Sequence, residues 1–163
     1  MSPNNTVDVR DALITDVDDI LLMIGELADY EKLRHQVTGS RDDLVRHLFG
    51  ADPFARALIA SIDGQTVGFA LYFFNYSTFL CKPGLYLEDL YVRPVWRRHG
   101  VGARVLATLA QRAASRDCGR MEWAVLDWNQ PAIEFYRRLG ALPQDEWTTY
   151  RLTGEALTRL ASG

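Results

Sequence analysis

The sequence predicts a mixed α/β (α+β) fold in which helices cover a mixed sheet. In the N-terminal half, two segments with strand spacing flank a tight turn, and strand–helix pairs follow in the C-terminal half. The 163 residues are 48% apolar, which is enough for one hydrophobic core without disulfides or a structural metal. We therefore expect a single domain that spans residues 6–161.

In the N-terminal half, turn and capping residues set the boundaries of the predicted elements. Thr15, followed three residues later by Asp18, resembles a capping box at the start of a helix, and Ser40 caps a second helix. Asp63-Gly64 predicts a two-residue hairpin turn. The expected strands lie at residues 7–10, 57–62 and 66–76, and the second helix ends near residue 49.

The C-terminal half is predicted to alternate strands and helices. Pro83-Gly84 is expected to break a loop before the next strand, and Asn129 is expected to cap a helix that stops at Gly140. Proline at position 131 fits the first turn of that helix. The expected strands lie at residues 85–92, 121–126 and 147–152, and the helices at 100–116, 129–139 and 153–160.

Charge and cysteine content argue against several classes of function. The net charge of −3 does not suit a nucleic-acid binder, which needs a basic stripe. No run of about 18 apolar residues predicts a membrane span, and the polar residues 1–5 do not resemble a signal peptide. Cys81, Cys118 and the three histidines lack metal-site spacing. We expect a cytoplasmic protein with two reduced thiols, no metal, and no nucleic-acid or membrane partner.

A basic, glycine-bearing turn follows the strand at residues 85–92. It contains Arg97, Arg98 and His99 and leads into a helix through Gly100 and Gly102. Free N–H groups at a helix start attract anions, and glycine lets a phosphate approach the backbone closely. The same residues also suit a plain turn with solvated arginines, so the local pattern leaves both interpretations open. The spacing fits neither a P-loop nor the Rossmann fingerprint.

Two blocks of this sequence resemble a known family. Arg97-x-x-Gly100-x-Gly102 is similar to the Gln/Arg-x-x-Gly-x-Gly/Ala signature of the GNAT superfamily of N-acetyltransferases. Residues 127–141 resemble its Asn-x-x-Ala-x-x-Phe-Tyr-x-x-x-Gly segment, in the same order along the chain. Similarity to the spermidine/spermine (diamine) and thialysine acetyltransferase branch rests on residues 28–31, 67–73, 86–92 and 128–131. The resemblance implies the GNAT fold, with a central, mostly antiparallel mixed sheet flanked by helices.

The resemblance implies direct transfer of an acetyl group from acetyl-CoA to a primary amine. Main-chain groups at residues 90–92 would bind the pantetheine arm, and a backbone N–H there would stabilise the carbonyl oxygen. Asn129 would contact the cofactor, although it also suffices as a helix cap. The implied cofactor-binding residues are Leu90, Tyr91, Val92, Arg97, Arg98, His99, Gly100, Val101, Gly102, Ala103, Asn129 and Ala132.

Tyr136 and Glu88 are the catalytic residues that the resemblance implies. Tyr136 would protonate the departing thiolate as general acid, although the pattern alone favours a core aromatic beside Phe135. Glu88 would take the amine proton through a water or hold a second ammonium group, and it also fits an exposed acidic pair with Asp89. Because successive strand residues face opposite sides, we expect Glu88 and Asp89 not to share one role.

The resemblance also implies a substrate-binding set rich in acidic side chains. A pocket of this charge favours a diamine, a polyamine or a thialysine-like or lysine-like amino acid. The implied residues are Tyr30, Glu31, Glu88, Asp89, Glu122, Trp123 and Ala124.

Two other functions stay open at this point. One is a peptide (lysine) or aminoglycoside acetyltransferase of the same fold, and the other is a non-catalytic acyl-CoA sensor. The presence of both Tyr136 and Glu88 argues against the sensor. The resemblance further implies a homodimer.

Overall fold

The computed structural model describes residues 6–163, which form two compact units, 6–124 and Val125–Gly163. Residues 1–5, which we expect not to be a signal peptide, lie outside the described part. The strands are β1 (Val7–Asp11), β2 (Arg56–Ile62), β3 (Gln65–Ser77), β4 (Lys82–Val92) and β5 (Arg120–Trp123). The helices are α1 (Val17–Tyr30), α2 (Arg41–Phe49), α3 (Val101–Ser115), α4 (Gln130–Arg138) and α5 (Gly154–Ser162).

The strands form one sheet in the order β1-β2-β3-β4-β5. Neighbours from β1 to β4 are antiparallel, whereas β4 and β5 are parallel. Antiparallel neighbours can be joined by short turns, but a parallel pair needs a crossover, which α3 provides. The predicted mixed α/β class with a mostly antiparallel sheet is confirmed.

The turn between β2 and β3 has the predicted chemistry. Asp63 and Gly64 adopt φ values of 50° and 77°, and Ile62 pairs with Gln65 on either side of them. Positive φ at both central residues matches the twist of the flanking strands, which is why Asp-Gly is favoured there.

Helices cover both faces of the sheet. On one face, Ile20 and Met23 of α1 pack in a buried cluster with Phe69 and Tyr91. On the other face, α3 buries an apolar stripe, and its Arg112 donates a hydrogen bond to the Tyr72 hydroxyl. Because Phe69 and Tyr72 are three residues apart on one strand, they point to opposite faces. These faces are called the α1 face and the α3 face below.

The start of α1 differs from the prediction. Thr15 lies inside a short 3-10 turn, Ile14–Asp16, and does not cap the helix. The Asp16 carboxylate instead accepts the Leu13 N–H at 2.7 Å and pairs with Arg10. The predicted capping box at Thr15 is therefore wrong, because an additional turn precedes the helix.

β4 begins at Lys82, earlier than predicted. Pro83 pairs with Tyr76 and Gly84 with Asn75, so the pair expected to break the loop belongs to the strand. Proline is tolerated near the start of a strand, where few ladder donors are lost. A Cβ at position 84 would lie 2.3 Å from the Asn75 Oδ1 atom, so a larger residue there would require the Asn75 side chain to move.

The second unit contains α4 and α5, and its described residues include no strand. Residues 147–152 were expected to form one, but Trp147 and Tyr150 are exposed and the segment has no ladder partner. That prediction is wrong because strand propensity takes effect only where a partner strand and a packed face are available. In the part of the chain that the structure describes, no helix is both long and apolar enough to cross a membrane.

Candidate functional site

β4 contains a β-bulge at Glu88. Leu87 pairs with Tyr72 and Asp89 pairs with Leu71, so Glu88 is an additional residue in the register with β3. A bulge bends the strand and changes the direction in which its side chains point. Because Leu71 and Tyr72 face opposite sides, Asp89 lies on the α1 face although Leu87 lies on the α3 face.

Three carboxylates interact electrostatically around this bulge. Burial is the largest cause, with the charges of Glu88 and Glu31 after it, and together they raise the pKa of Asp89 from 3.8 to about 6. Burial also raises the pKa of Glu31, which directly follows α1. The bulge interrupts the strand alternation from which we predicted that Glu88 and Asp89 do not share one role, so that prediction no longer follows from their adjacent positions.

Glu122 adds a fourth carboxylate near the bulge, but it has a basic partner. It is opposite Tyr86 in the β4–β5 register. Burial, followed by the charges of Glu88 and Glu122, raises the pKa of the Tyr86 hydroxyl. The Nε atom of Arg120 lies 2.8 Å from the Glu122 carboxylate, so part of the charge of Glu122 is balanced locally.

β4 and β5 separate after Leu87. The parallel register ends where Leu87 meets Trp123, and the exposed Ala124 follows. β4 continues to Val92, and over this stretch no strand among the described residues of the first unit pairs with its β5-side edge. The Arg93 N–H donates to the Val67 carbonyl of β3, so by alternation the main-chain groups of Leu90 and Val92 point to the open edge. An extended ligand can form ladder-like hydrogen bonds there.

The turn before α3 presents the backbone of the helix start. Arg98 and Gly100 have φ values of 66° and 78°, and Gly100 is the N-cap. The first hydrogen bond of the helical pattern runs from the Arg104 N–H to the Gly100 carbonyl. The N–H groups of residues 101–103 therefore precede that pattern and, with the helix dipole, suit an anion. His99 is exposed, with its Nδ1 atom 2.9 Å from the Arg97 carbonyl oxygen.

The side chain of Arg97 is turned toward the interior of the unit. Its Nε donates to the Val92 carbonyl at 3.0 Å. Its guanidinium carbon lies 4.7 Å from the centre of the Tyr30 ring and 5.9 Å from that of Tyr91. The guanidinium is thus engaged within the unit, and the main-chain amides at the helix start and the exposed Arg98 remain as groups suited to an anion.

In the second unit, α4 carries the remaining predicted residues on one side. The Oδ1 atom of Asn129 accepts the Ala132 N–H at 3.4 Å, which confirms the predicted N-cap. Ala132 and Tyr136 follow at positions that share a helix face with Asn129. Tyr136 is half-buried, and its ring centre lies 5.5 Å from that of Phe135.

Glu26 supports the site and was not identified from the sequence. Its carboxylate lies 3.3 Å from Arg93, which also donates to the Thr66 carbonyl at 2.9 Å. Burial raises the pKa of the Tyr91 hydroxyl, and its hydrogen bond to Glu26 adds to that rise. The available signal was an acidic residue beside the apolar stripe of α1, where a half-buried carboxylate needs a partner.

The candidate site provides three kinds of group for binding and reaction: main-chain hydrogen-bonding groups, carboxylates and hydroxyls. In residues 6–163, no set of three or more His, Cys, Asp or Glu side chains is placed to hold a metal ion. A strand edge and a helix start can orient an extended anionic ligand, while the carboxylates can attract a cation and accept a proton.

Comparisons with known proteins identify the family. Residues 25–141 match the acetyltransferase (GNAT) family. The chain is 41% identical to thialysine N-epsilon-acetyltransferase of Mus musculus, over 94% of this chain and 96% of that protein. It is 31% identical to an L-ornithine N5-acetyltransferase of Arabidopsis thaliana, over 91% of this chain and 85% of the relative.

A solved structure extends the likeness to three dimensions. The integron cassette protein from the mobile metagenome of V. cholerae has a TM-score of 0.80 and 25% identity, over 96% of this chain and 98% of that one. The family match covers more than half of the sequence, and the relatives match nearly all of it. The chain therefore belongs to the GNAT acetyltransferase family and is an N-acetyltransferase.

Proposed function

We propose that the enzyme transfers the acetyl group of acetyl-CoA to a primary amine of a small cationic substrate. The carboxylates Glu31, Glu88 and Asp89 around the β4 bulge carry this proposal, because they would attract a substrate with more than one positive charge. The mouse relative is named for thialysine and the Arabidopsis relative for L-ornithine, and both compounds are amino acids with a second amine. The substrate class is therefore such an amino acid, a diamine or a polyamine.

Two features of the first unit fit coenzyme A. The N–H groups of residues 101–103 suit its pyrophosphate. The edge of β4 at residues 90–92 suits the amides of its pantetheine arm, since an open strand edge pairs with extended amide groups. When bound, acetyl-CoA supplies a thioester-linked acetyl group. A backbone N–H of the same edge would stabilise the negative charge that develops on the acetyl oxygen.

The transfer moves one proton from nitrogen to sulfur. A neutral amine attacks the acetyl carbon, a C–N bond forms, the C–S bond breaks, and the sulfur leaves as a thiolate. A carboxylate of the bulge accepts the proton that the amine loses, either Glu88 through a water or Asp89 directly. We assign protonation of the thiolate to the hydroxyl of Tyr136, which then regains a proton from solvent.

The proposal also covers the organisation of the protein. Residues 6–161 would act as one N-acetyltransferase domain, and the enzyme would be a homodimer, as its resemblance to the diamine acetyltransferase branch implies. Light scattering on the purified protein tests the second point, because a monomer mass would contradict it.

A thiol-release assay with a panel of amines tests the proposal. The panel contains thialysine, ornithine, putrescine, spermidine, butylamine, a lysine-containing peptide and the aminoglycoside sisomicin. We expect release of coenzyme A with the small amines that carry two or more charged groups. Turnover of only the peptide or the aminoglycoside would refute the substrate class, and acetyl-CoA binding without turnover of any amine would refute the catalytic assignment.

Two variants distinguish the effect of the carboxylate cluster on kcat/KM from the effect of removing any surface charge. Glu88→Gln should lower kcat/KM more for putrescine than for butylamine, because butylamine lacks the second ammonium group. Asp52→Asn removes an exposed carboxylate elsewhere in the first unit and serves as the matched control. An equal loss for both amines in Glu88→Gln would contradict the attraction mechanism.

A further inference from the structure

The Arg97 side chain connects two parts of the first unit that the proposed function assigns to different substrates. Tyr30 is the last residue of α1 and belongs to the amine side, whereas Val92 ends β4 on the coenzyme A side. Arg97 contacts both, through a 3.0 Å hydrogen bond to the Val92 carbonyl and a 4.7 Å distance to the Tyr30 ring centre.

Only a planar, forked cation satisfies this geometry. The Nε–H of arginine donates in the plane of the guanidinium, while the face of the same plane stacks on an aromatic ring. Tyr91 is 4% exposed and its ring centre lies 5.9 Å from the same guanidinium carbon, so a buried aromatic residue backs the contact. A lysine has neither the Nε–H donor nor the planar face.

We propose that Arg97 is a positioning residue that couples the amine site to the coenzyme A site. By contacting both groups, it fixes the position of the Val92 carbonyl, at the open edge of β4, relative to the Tyr30 ring at the end of α1. The family resemblance implies that Arg97 binds the cofactor, and its contacts in the structure point to this additional role. The inference rests on the proposed function, since it concerns how the two substrates are oriented together.

Coupling of this kind is reciprocal. If amine binding alters the affinity for coenzyme A by some factor, coenzyme A must alter the affinity for the amine by the same factor. The contact between a cation and an aromatic ring at a partly exposed site corresponds to a change of about two- to five-fold in affinity. We expect coupling of that size between Tyr30 and the cofactor site.

A double-mutant cycle tests the coupling. Calorimetry measures the dissociation constant of coenzyme A for the parent, Tyr30→Leu, Arg97→Gln and the double variant. We expect Tyr30→Leu to weaken binding about two- to five-fold and to add nothing in the Arg97→Gln background. Tyr30→Phe keeps the ring and should bind like the parent.

Two further variants distinguish positioning from simple charge. Arg97→Lys keeps the positive charge, so it should behave like Arg97→Gln if geometry matters and like the parent if only charge matters. Arg116→Gln is the matched control, because Arg116 lies 5.0 Å from the Phe74 ring centre and caps the far end of α3. It removes a similar contact and should leave the dissociation constant for coenzyme A unchanged.

The outcomes separate this inference from the proposed function. Additive effects in the cycle, parent-like binding by Arg97→Lys, or loss of binding in Tyr30→Phe would each overturn the positioning role while the enzyme still turns over amines. A parent protein that binds no coenzyme A would overturn both the proposed function and the inference.

Discussion

Replacement of Asp89 by asparagine should stabilise the folded protein at neutral pH. Asp89 is half-buried on the α1 face beside Glu88 and Glu31, and its pKa is raised from 3.8 to about 6. A raised pKa means that the folded state binds the proton more tightly than the unfolded chain does. Below pH 3.8 both states hold the proton, and as the pH rises to about 6 the unfolded state is progressively favoured.

The size of this effect follows from the two pKa values. Each tenfold change in proton affinity corresponds to about 1.4 kcal/mol, so the interval from 3.8 to about 6 corresponds to about 3 kcal/mol. This is the free energy by which the ionised Asp89 destabilises the fold above pH 6. An uncharged asparagine of similar size avoids the cost of a buried charge, so Asp89→Asn should gain up to about 3 kcal/mol at pH 8.

Urea unfolding of the parent and Asp89→Asn at several pH values between 4 and 8 measures the prediction. The gain in free energy of unfolding should grow with pH and level off above about pH 6, whereas amine turnover should fall. Asp52→Asn, an exposed control, should change stability by no more than about 0.5 kcal/mol at any pH. A destabilised Asp89→Asn at pH 8, or a gain that does not vary with pH, would refute the reasoning.

Three further predictions concern the catalytic groups and the helix start. Tyr136→Phe should lower kcat by about 100-fold or more, with binding of coenzyme A preserved in calorimetry, and unchanged turnover would remove Tyr136 from the mechanism. Glu88→Gln should reduce kcat/KM most at low pH, where fewer amines are neutral, and a pH profile parallel to that of the parent would exclude the base role. Gly100→Ala forces an L-residue into a φ of 78°, so it should cost about 1 to 2 kcal/mol in urea unfolding and weaken coenzyme A binding. A Cβ at position 100 meets no atom within 4 Å, so an unaffected variant would show that this backbone geometry is not required.

Local chemistry made several elements predictable from the sequence. The Asp63-Gly64 turn, the Ser40 cap and the Asn129 cap each depend on neighbours within three residues, and the structure contains all of them. The Ser40 hydroxyl, for example, accepts the Asp43 N–H at 3.1 Å. Such elements follow from sequence because their hydrogen bonds form within one turn of chain.

The remaining features depend on tertiary partners that the sequence does not show. The bulge at Glu88 arises from the register between β3 and β4, and without it the alternation rule separates Glu88 from Asp89. Gly84 likewise belongs to a strand because it pairs with Asn75 of β3, which is distant in sequence from the predicted strand start. Strand propensity at residues 147–152 was overruled because no described strand pairs with that segment.

The features of the candidate site also divide into those that local sequence identifies and those that depend on tertiary contacts. Its residues could be named from short blocks that resemble a family, because those blocks are contiguous in sequence. The inward position of Arg97 and its contacts with Tyr30 and Val92 join segments far apart in the chain. The partnership between Glu26 and Arg93 does the same, so neither could be derived from spacing.

Amide hydrogen exchange with and without coenzyme A tests the central claim most directly. The claim is that main-chain groups at the edge of β4 and at the start of α3 hold the cofactor. We predict slower exchange on binding in two peptides, one containing residues 90–92 and the other residues 101–103. Absence of coenzyme A binding at millimolar concentration, or protection confined to other parts of the chain, would contradict the account.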